Sequence, residues 1–123
     1  PPRSTLFPYT TLFRSPTPLA YKGKVILLRD RNEVDCIDPA TGRTEWTGEF
    51  EKSGTPFYAS PVIAAGKLYV VREDGVAFVA KLDGGFEVLA RNVMNEKIWA
   101  TPVPLGGRML LRGEKTLFCI GAP

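Results

Sequence analysis

Histidine is absent from all 123 residues. That absence removes the commonest general base and the commonest zinc ligand. Cysteine is scarce: Cys36 and Cys119 are too few for a disulfide framework. No apolar run approaches the roughly 18 residues of a membrane-spanning helix, and no stretch holds a helical period. Charge of one sign is barely in excess, with 16 Lys and Arg against 13 Asp and Glu, a net of +3. What the chain has in plenty is punctuation. Its 12 glycines and 11 prolines separate short runs of Val, Ile, Leu, Tyr and Phe, the pattern of many short strands joined by turns.

The first fifteen residues stand apart. Pro1–Ser15 repeats Thr-Leu-Phe, carries no acid and is interrupted by Pro8. Its apolar residues Leu6, Phe7, Leu12 and Phe13 keep no period, and it lacks the continuous apolar core of a secretory signal. Back-translated in one frame, the segment resembles a widely used short-read sequencing adapter, codon for codon. It is read as an artefactual leader fused to a truncated gene, with 16–123 as the native part. Phe7, Tyr9 and Phe13 are accordingly expected to carry no function. Without Arg3 and Arg14 the net charge falls from +3 to +1, so the basic balance gives no argument for nucleic acid.

The native part repeats itself. "PLAYKGKVILLR" (Pro18–Arg29), "PVIAAGKLYVVR" (Pro61–Arg72) and "PVPLGGRMLLR" (Pro102–Arg112) align, with prolines 43 and 41 residues apart. Gly23, Gly66 and Gly107 are each followed by a base, and Cys36, Val79 and Cys119 stand seven residues after the arginines. Each repeat reads as four strands. Strand A leads into the proline, B follows the glycine, C holds Cys36, Val79 or Cys119, and D holds "RTEWTGEF" or "FEVLARNV". On that reading the leader has replaced strand A of the first repeat. The glycines suit tight A–B turns, "DRNE", "EDG" and "GEK" suit B–C turns, and in "DPATG" Asp38 caps a turn that Gly42 closes. A four-stranded repeat of ~40–45 residues has the size of a propeller blade. The expected fold is all-β: a partial β-propeller of about two and a half four-stranded antiparallel blades, at 16–50, 57–92 and 98–123.

"CIDPATGRTEW" (Cys36–Trp46) resembles the repeat motif of the PQQ-like β-propellers, Ala-x-Asp-x-x-x-Gly-Lys-x-x-Trp. Asp38, Gly42 and Trp46 match it; Arg43 stands for Lys and Cys36 for Ala. The second repeat keeps Gly85 but has Lys81 and Leu89 where the first has Asp38 and Trp46. The resemblance implies that Trp46 docks between blades against the Asp–Gly turn. It also implies that the chain is the C-terminal part of a ring of about six to eight blades. Alone, such a piece exposes blade edges and is expected to aggregate or to be poorly stable. As partners the resemblance implies another protein or the remaining blades, outside the cytoplasm in the periplasm or medium.

Candidate chemistry is thin. Arg29, Arg72 and Arg112 recur beside the B–C turns and could form a basic rim for an anion. The plainer reading is structural, since Asp30, Glu73 and Glu114 adjoin them and cancel most of the field. Cys36 and Cys119 are read as two buried thiols, too far apart for a disulfide. Asp30, Glu33, Asp35 and Asp38 form the densest acidic group, but alternation sends Asp35 and Asp38 to opposite faces, which favours turns over a calcium site. Trp46, Trp99, Phe57 and Tyr58 are read as packing residues at matched positions. No catalytic residue, cofactor ligand or metal ligand is assigned. The leading function is a non-catalytic repeat scaffold for protein or ligand contact within a larger bacterial protein. The alternative is a piece of a PQQ-dependent quinoprotein dehydrogenase, whose calcium, adjacent cysteines and stacked tryptophan would lie in other blades. A sensor propeller behind a kinase domain is a third reading.

Overall fold

The computed structural model describes residues 17–29, 32–57 and 59–121. Pro1–Ser15 therefore lie outside the described residues, as do Asp30 and Tyr58. Among the described residues there are eleven strands and no helix. The first sheet is β1 (Leu19–Tyr21), β2 (Lys24–Leu28), β3 (Glu33–Asp38) and β4 (Arg43–Glu49). The second is β5 (Val62–Ala64), β6 (Lys67–Val71), β7 (Val76–Lys81) and β8 (Glu87–Val93). The third holds β9 (Val103–Leu105), β10 (Arg108–Arg112) and β11 (Leu117–Gly121). Neighbours in sequence are neighbours in each sheet, and every pairing is antiparallel. This is a partial β-propeller of three sheets.

The turns explain the meander. Lys22–Gly23, Ala65–Gly66 and Gly106–Gly107 all have positive φ at both central residues, 47° and 75°, 50° and 75°, 55° and 77°. Two left-handed residues in a two-residue loop match the right-handed twist of the flanking strands, so the repeated glycine fixes each A–B hairpin. The B–C turns also take one left-handed residue, Asn32 (φ 65°) in the first sheet and Gly75 (φ 90°) in the second. Each offers its carbonyl to the end of strand D: Phe50 N–H donates to Asn32 O at 2.8 Å and Met94 N–H to Gly75 O at 2.9 Å.

One expectation fails here. Strand A does not lead into the proline but follows it, as β1, β5 and β9. The first sheet consequently has all four strands, and β1 pairs Leu19 with Ile26 and Tyr21 with Lys24. Proline lacks a donor, so it opens an edge strand more readily than it closes one. The aromatic segments upstream of the prolines are linkers. They are pinned by the B–C turns: Glu73 N–H donates to Pro56 O (3.0 Å), Ile98 N–H to Glu73 O (3.0 Å) and Glu114 N–H to Lys97 O (2.9 Å).

The core lies between sheets, because each sheet alternates two apolar faces. One face of the first sheet, with Leu19, Ile26, Leu28, Val34 and Cys36, packs on Leu68, Val70, Phe78 and Ala80 of the second. The opposite face of the second, with Tyr69, Val71 and Ala77, packs on Met109, Leu111, Phe118 and Ile120 of the third. Phe50 ties the first seam together. Its ring centroid lies 4.9 Å from Phe78, 5.3 Å from Phe86 and 5.8 Å from Phe57.

Candidate functional site: the seams between sheets

The Asp38–Gly42 turn forms as its residues dictate. Asp38 Oδ1 accepts the Ala40 N–H at 2.9 Å, the Gly42 N–H donates to Asp38 O at 2.7 Å, and Gly42 takes φ 74°. A bulge between Cys36 and Ile37 then sets β4 so that Trp46 lies opposite Cys36. Trp46 and Cys36 share the face that meets the second sheet. The indole tilts against Phe86 of that sheet, with centroids 5.8 Å apart. With Leu82, Asp83, Gly84 and Gly85 it walls an open crevice of about 240 Å3 whose other wall is Tyr21, Lys22 and Lys24. Trp46 thus stands at the seam, beside the C–D turn of the neighbouring blade, where Gly85 has φ 111°.

Polar contacts between its lining residues cross the crevice. Tyr21 OH donates to Asp83 Oδ1 at 2.9 Å and Lys22 Nζ to the same oxygen at 3.0 Å. The Lys22 and Tyr21 hydrogen bonds hold the Asp83 carboxyl below its ordinary range, and Asp83 in turn raises Lys22. Lys24 is raised chiefly by Glu45, 2.9 Å away. At the crevice floor burial pushes the Cys36 thiol up, aided by the Glu45 carboxylate and opposed by Lys24.

The second seam is built differently. A bulge recurs between Val79 and Ala80, but the C–D turn is one residue longer: Asp38 pairs with Arg43, whereas Lys81 pairs with Glu87. The insertion shifts β8 by one position, and Ala90, not Leu89, lies opposite Val79. Leu89 therefore does not take Trp46's place; it points outward and is 46% exposed. With alanine where the first seam has tryptophan, a groove of about 540 Å3 opens beside Tyr69, Val79, Ala90, Asn92, Met109 and Ile120.

The three arginines do not form one rim. Arg29 forks onto Asp35 (Nε to Oδ2 2.8 Å, Nη2 to Oδ1 3.2 Å) and reaches Glu33 at 3.2 Å. Arg72 is buried, 5% exposed; it forks onto Asp74 at 2.8 and 2.9 Å and lies 5.7 Å over the Phe78 ring. That bond holds the Asp74 carboxyl below its usual value. Arg112 is exposed and makes no ion pair among the described residues. Of the adjacent acids, Asp30 lies outside the described residues, and Glu73 and Glu114 pair with no arginine among the described residues. Glu73 instead accepts the Trp99 indole N–H at 3.0 Å, and Glu114 gives its N–H to Lys97.

Other expectations divide. Cys36 is buried, but Cys119 is exposed, because β11 is an edge strand of a sheet with one face open. Phe57 is buried in the first seam, whereas Trp99 is 51% exposed, with Lys97 5.9 Å over its ring. Asp35 accepts Thr47 Oγ1 at 2.8 Å and Asp38 caps its own turn, so these acids face different tasks. Among the described residues no three Cys, Asp or Glu side chains gather where a metal ion could sit, and no helix is long and apolar enough to cross a membrane. Glu96 anchors the third sheet's B–C turn. Glu96 Oε1 accepts the N–H groups of Lys115 (2.9 Å) and Thr116 (2.8 Å), and Oε2 accepts Thr116 Oγ1 at 3.0 Å. These donors, the Lys115 N–H above all, hold the Glu96 carboxyl low. A lone acid in a linker, 19 and 20 residues from the amides it holds, carries little sequence signal of such a clasp.

Comparison with known proteins bears on the repeats. A family model described as outer membrane protein assembly factor BamB matches residues 10–85 and again 30–119. No curated protein sequence matches. Among solved structures, the crystal structure of BamB from Moraxella catarrhalis is 13% identical with a TM-score of 0.43, covering 85% of this chain and 42% of that one. The chain thus spans less than half of that protein. By the family match, which takes in most of its length, the chain belongs to the BamB family of PQQ-like β-propeller proteins.

Proposed function

We propose that the chain is a non-catalytic propeller scaffold that holds other proteins in contact, within a larger bacterial protein serving outer membrane protein assembly. The family match carries this reading, since the matching description is that of an assembly factor. The structure is of a kind that suits it. Antiparallel sheets pack on one another at two apolar seams, as repeat scaffolds do when they stack. Fold alone does not fix function, so the role rests on the family and not on the sheets.

PQQ with calcium, which the enzymatic relatives of the resemblance use, does not fit the described residues. Cys36 and Cys119 are in separate sheets and no carboxylates converge.

The test is genetic complementation. A bacterial strain lacking its BamB-type factor is given the natural full-length protein, and folded outer membrane protein is scored by heat-modifiable mobility in gels. Restored assembly supports the reading. Expression of folded protein without any restoration overturns the assembly role.

A further inference from the structure

We propose that the groove of the second seam binds a small aromatic carboxylate, its ring on the apolar floor and its carboxylate on Lys67. The inference rests on the two sheets that form the groove and is independent of the assembly role.

The first observation is missing bulk. In the first sheet Tyr21 lies opposite Lys24 and Trp46 opposite Cys36, and both rings pack into the first seam. At the same places the second sheet has Ala64, opposite Lys67, and Ala90, opposite Val79. The close approach across the seam goes with the rings. A Cβ on Gly66 would meet the Tyr21 hydroxyl at 3.4 Å, whereas one on the matching Gly107 would meet nothing within 4 Å.

The space left is about 540 Å3, a size that small-molecule sites share. A further cavity of about 40 Å3 adjoins it within the seam, sharing Tyr69, Val79, Asn92, Met109 and Ile120 with the groove. A C–D turn is not what closes such a space. In the first seam the turn Leu82–Gly85 only walls a crevice that stays open at about 240 Å3. What narrows the first seam is its two rings, so a planar ring is the shape that suits the second. Tyr69, standing where the first sheet has Ile26, supplies an aromatic wall for it.

Charge is the second observation. Lys24 pairs with Glu45 at 2.9 Å and lies 3.7 Å from Asp38. Glu45 is the unpaired residue at the bulge of β4, and Leu89 holds that position in β8. The place of Asp38 is taken by Lys81, directly opposite Lys67 and itself opposite Glu87. Lys67 has thus lost both acids of its counterpart, and it makes no ion pair among the described residues. The charged residues that line the groove are Lys67 and Arg108, with no acid among them. An apolar floor with an uncompensated base at its rim complements a ring that carries one carboxylate. A neutral ring leaves the base unused, and a bare anion leaves the floor wet.

The probe is indole-3-acetate, titrated calorimetrically into the natural full-length protein, with circular dichroism to confirm the folding of every variant. The expected result is saturable one-to-one binding. Indole-3-acetamide keeps the ring and loses the charge; acetate keeps the charge and loses the ring. Each should bind weaker by about tenfold or more. Lys67→Glu should weaken indole-3-acetate by about tenfold, whereas Lys52→Glu, the same charge change in an exposed linker, should leave it unaltered. Ala90→Trp returns the indole of the first seam and should abolish binding; Ala64→Tyr applies the same test at the other missing ring if the first variant does not fold. Absence of saturable binding overturns the proposal. So does equal affinity for the acetamide, an equal loss in Lys67→Glu and Lys52→Glu, or binding that survives the refilled groove. Binding by the 123-residue chain but not by the full-length protein assigns the groove to further residues of the same protein and overturns the free ligand.

Discussion

Replacing Phe50 by alanine is the sharpest test of where the fold's stability resides. Phe50 is 2% exposed and follows β4, yet it reaches across the first seam to Phe57, Phe78 and Phe86. Burying such a side chain is worth about 1.5–3 kcal/mol in transfer from water. Each well-placed ring pair adds about 0.5–1.5 kcal/mol, and the cavity left in a packed seam brings Phe→Ala losses to about 3–5 kcal/mol. Intact natural domains are stable by only about 5–15 kcal/mol, so a loss of that size is large for a piece of a propeller. Leu89→Ala is the control: an apolar residue in the same repeat pattern but half exposed, expected to cost under about 0.5 kcal/mol. Urea unfolding followed by Trp46 fluorescence in a Trp99→Phe background reads the first seam directly, because Trp46 abuts Phe86. A Phe50→Ala loss below about 1 kcal/mol, or one no larger than that of Leu89→Ala, would refute the claim that the seam carries the fold.

Three further outcomes follow from the geometry. Gly75→Ala should cost about 1–3 kcal/mol in urea unfolding, since φ is 90° and a Cβ would run into the Glu96 carbonyl; Gly84→Ala, at φ 73° with open space around it, should cost about 1 kcal/mol. Asp74 is depressed from 3.8 chiefly by the Arg72 hydrogen bond. A depressed carboxyl lends stability that is complete above its unfolded value and is lost as pH falls below that value through the folded one. Asp74→Asn should therefore lower the urea midpoint at neutral pH and flatten its fall between neutrality and about pH 3. Cys36 is buried with a raised thiol and Cys119 is exposed; iodoacetamide should add one group to the native chain and two after denaturation, read by mass. Two additions to the native chain would show the first seam open.

Much of the architecture is legible in the sequence because turns are local. Gly23, Gly66 and Gly107 announce three hairpins because only a left-handed residue closes them, and the φ values agree. The Asp38–Gly42 turn is legible for the same reason. What could not be read is non-local. A strand leading into Pro61 and Pro102 is the sequence expectation, but the segments before those prolines are linkers held by B–C turns. Repeat position groups Arg72 with Arg29 and Arg112 beside the B–C turns. Its carboxylate two residues on and the Phe78 ring beneath it make it a packed residue, while Arg112 at the matched position stays in solvent.

The Trp46 position shows why a repeat constrains backbone more tightly than side chains. An ungapped alignment puts Leu89 opposite Trp46, and hydrophobicity makes the match look sound. The ladder disagrees by one residue, because five residues rather than four separate the paired ends of β7 and β8. Strand period is two, so one inserted residue would turn every side chain of β8 over were the insertion not confined to the turn. It is confined there, beside Gly84 and Gly85, whose positive φ values let the longer loop close. The bulge at Val79 then matches the bulge at Cys36, and both sheets keep the same ladder. The cost falls on the seam. Alanine arrives where the first seam has an indole, and the second seam opens into its groove. Sheets and turns are common to the repeats; what fills each seam is particular, and that is where two sheets of one ladder come to differ.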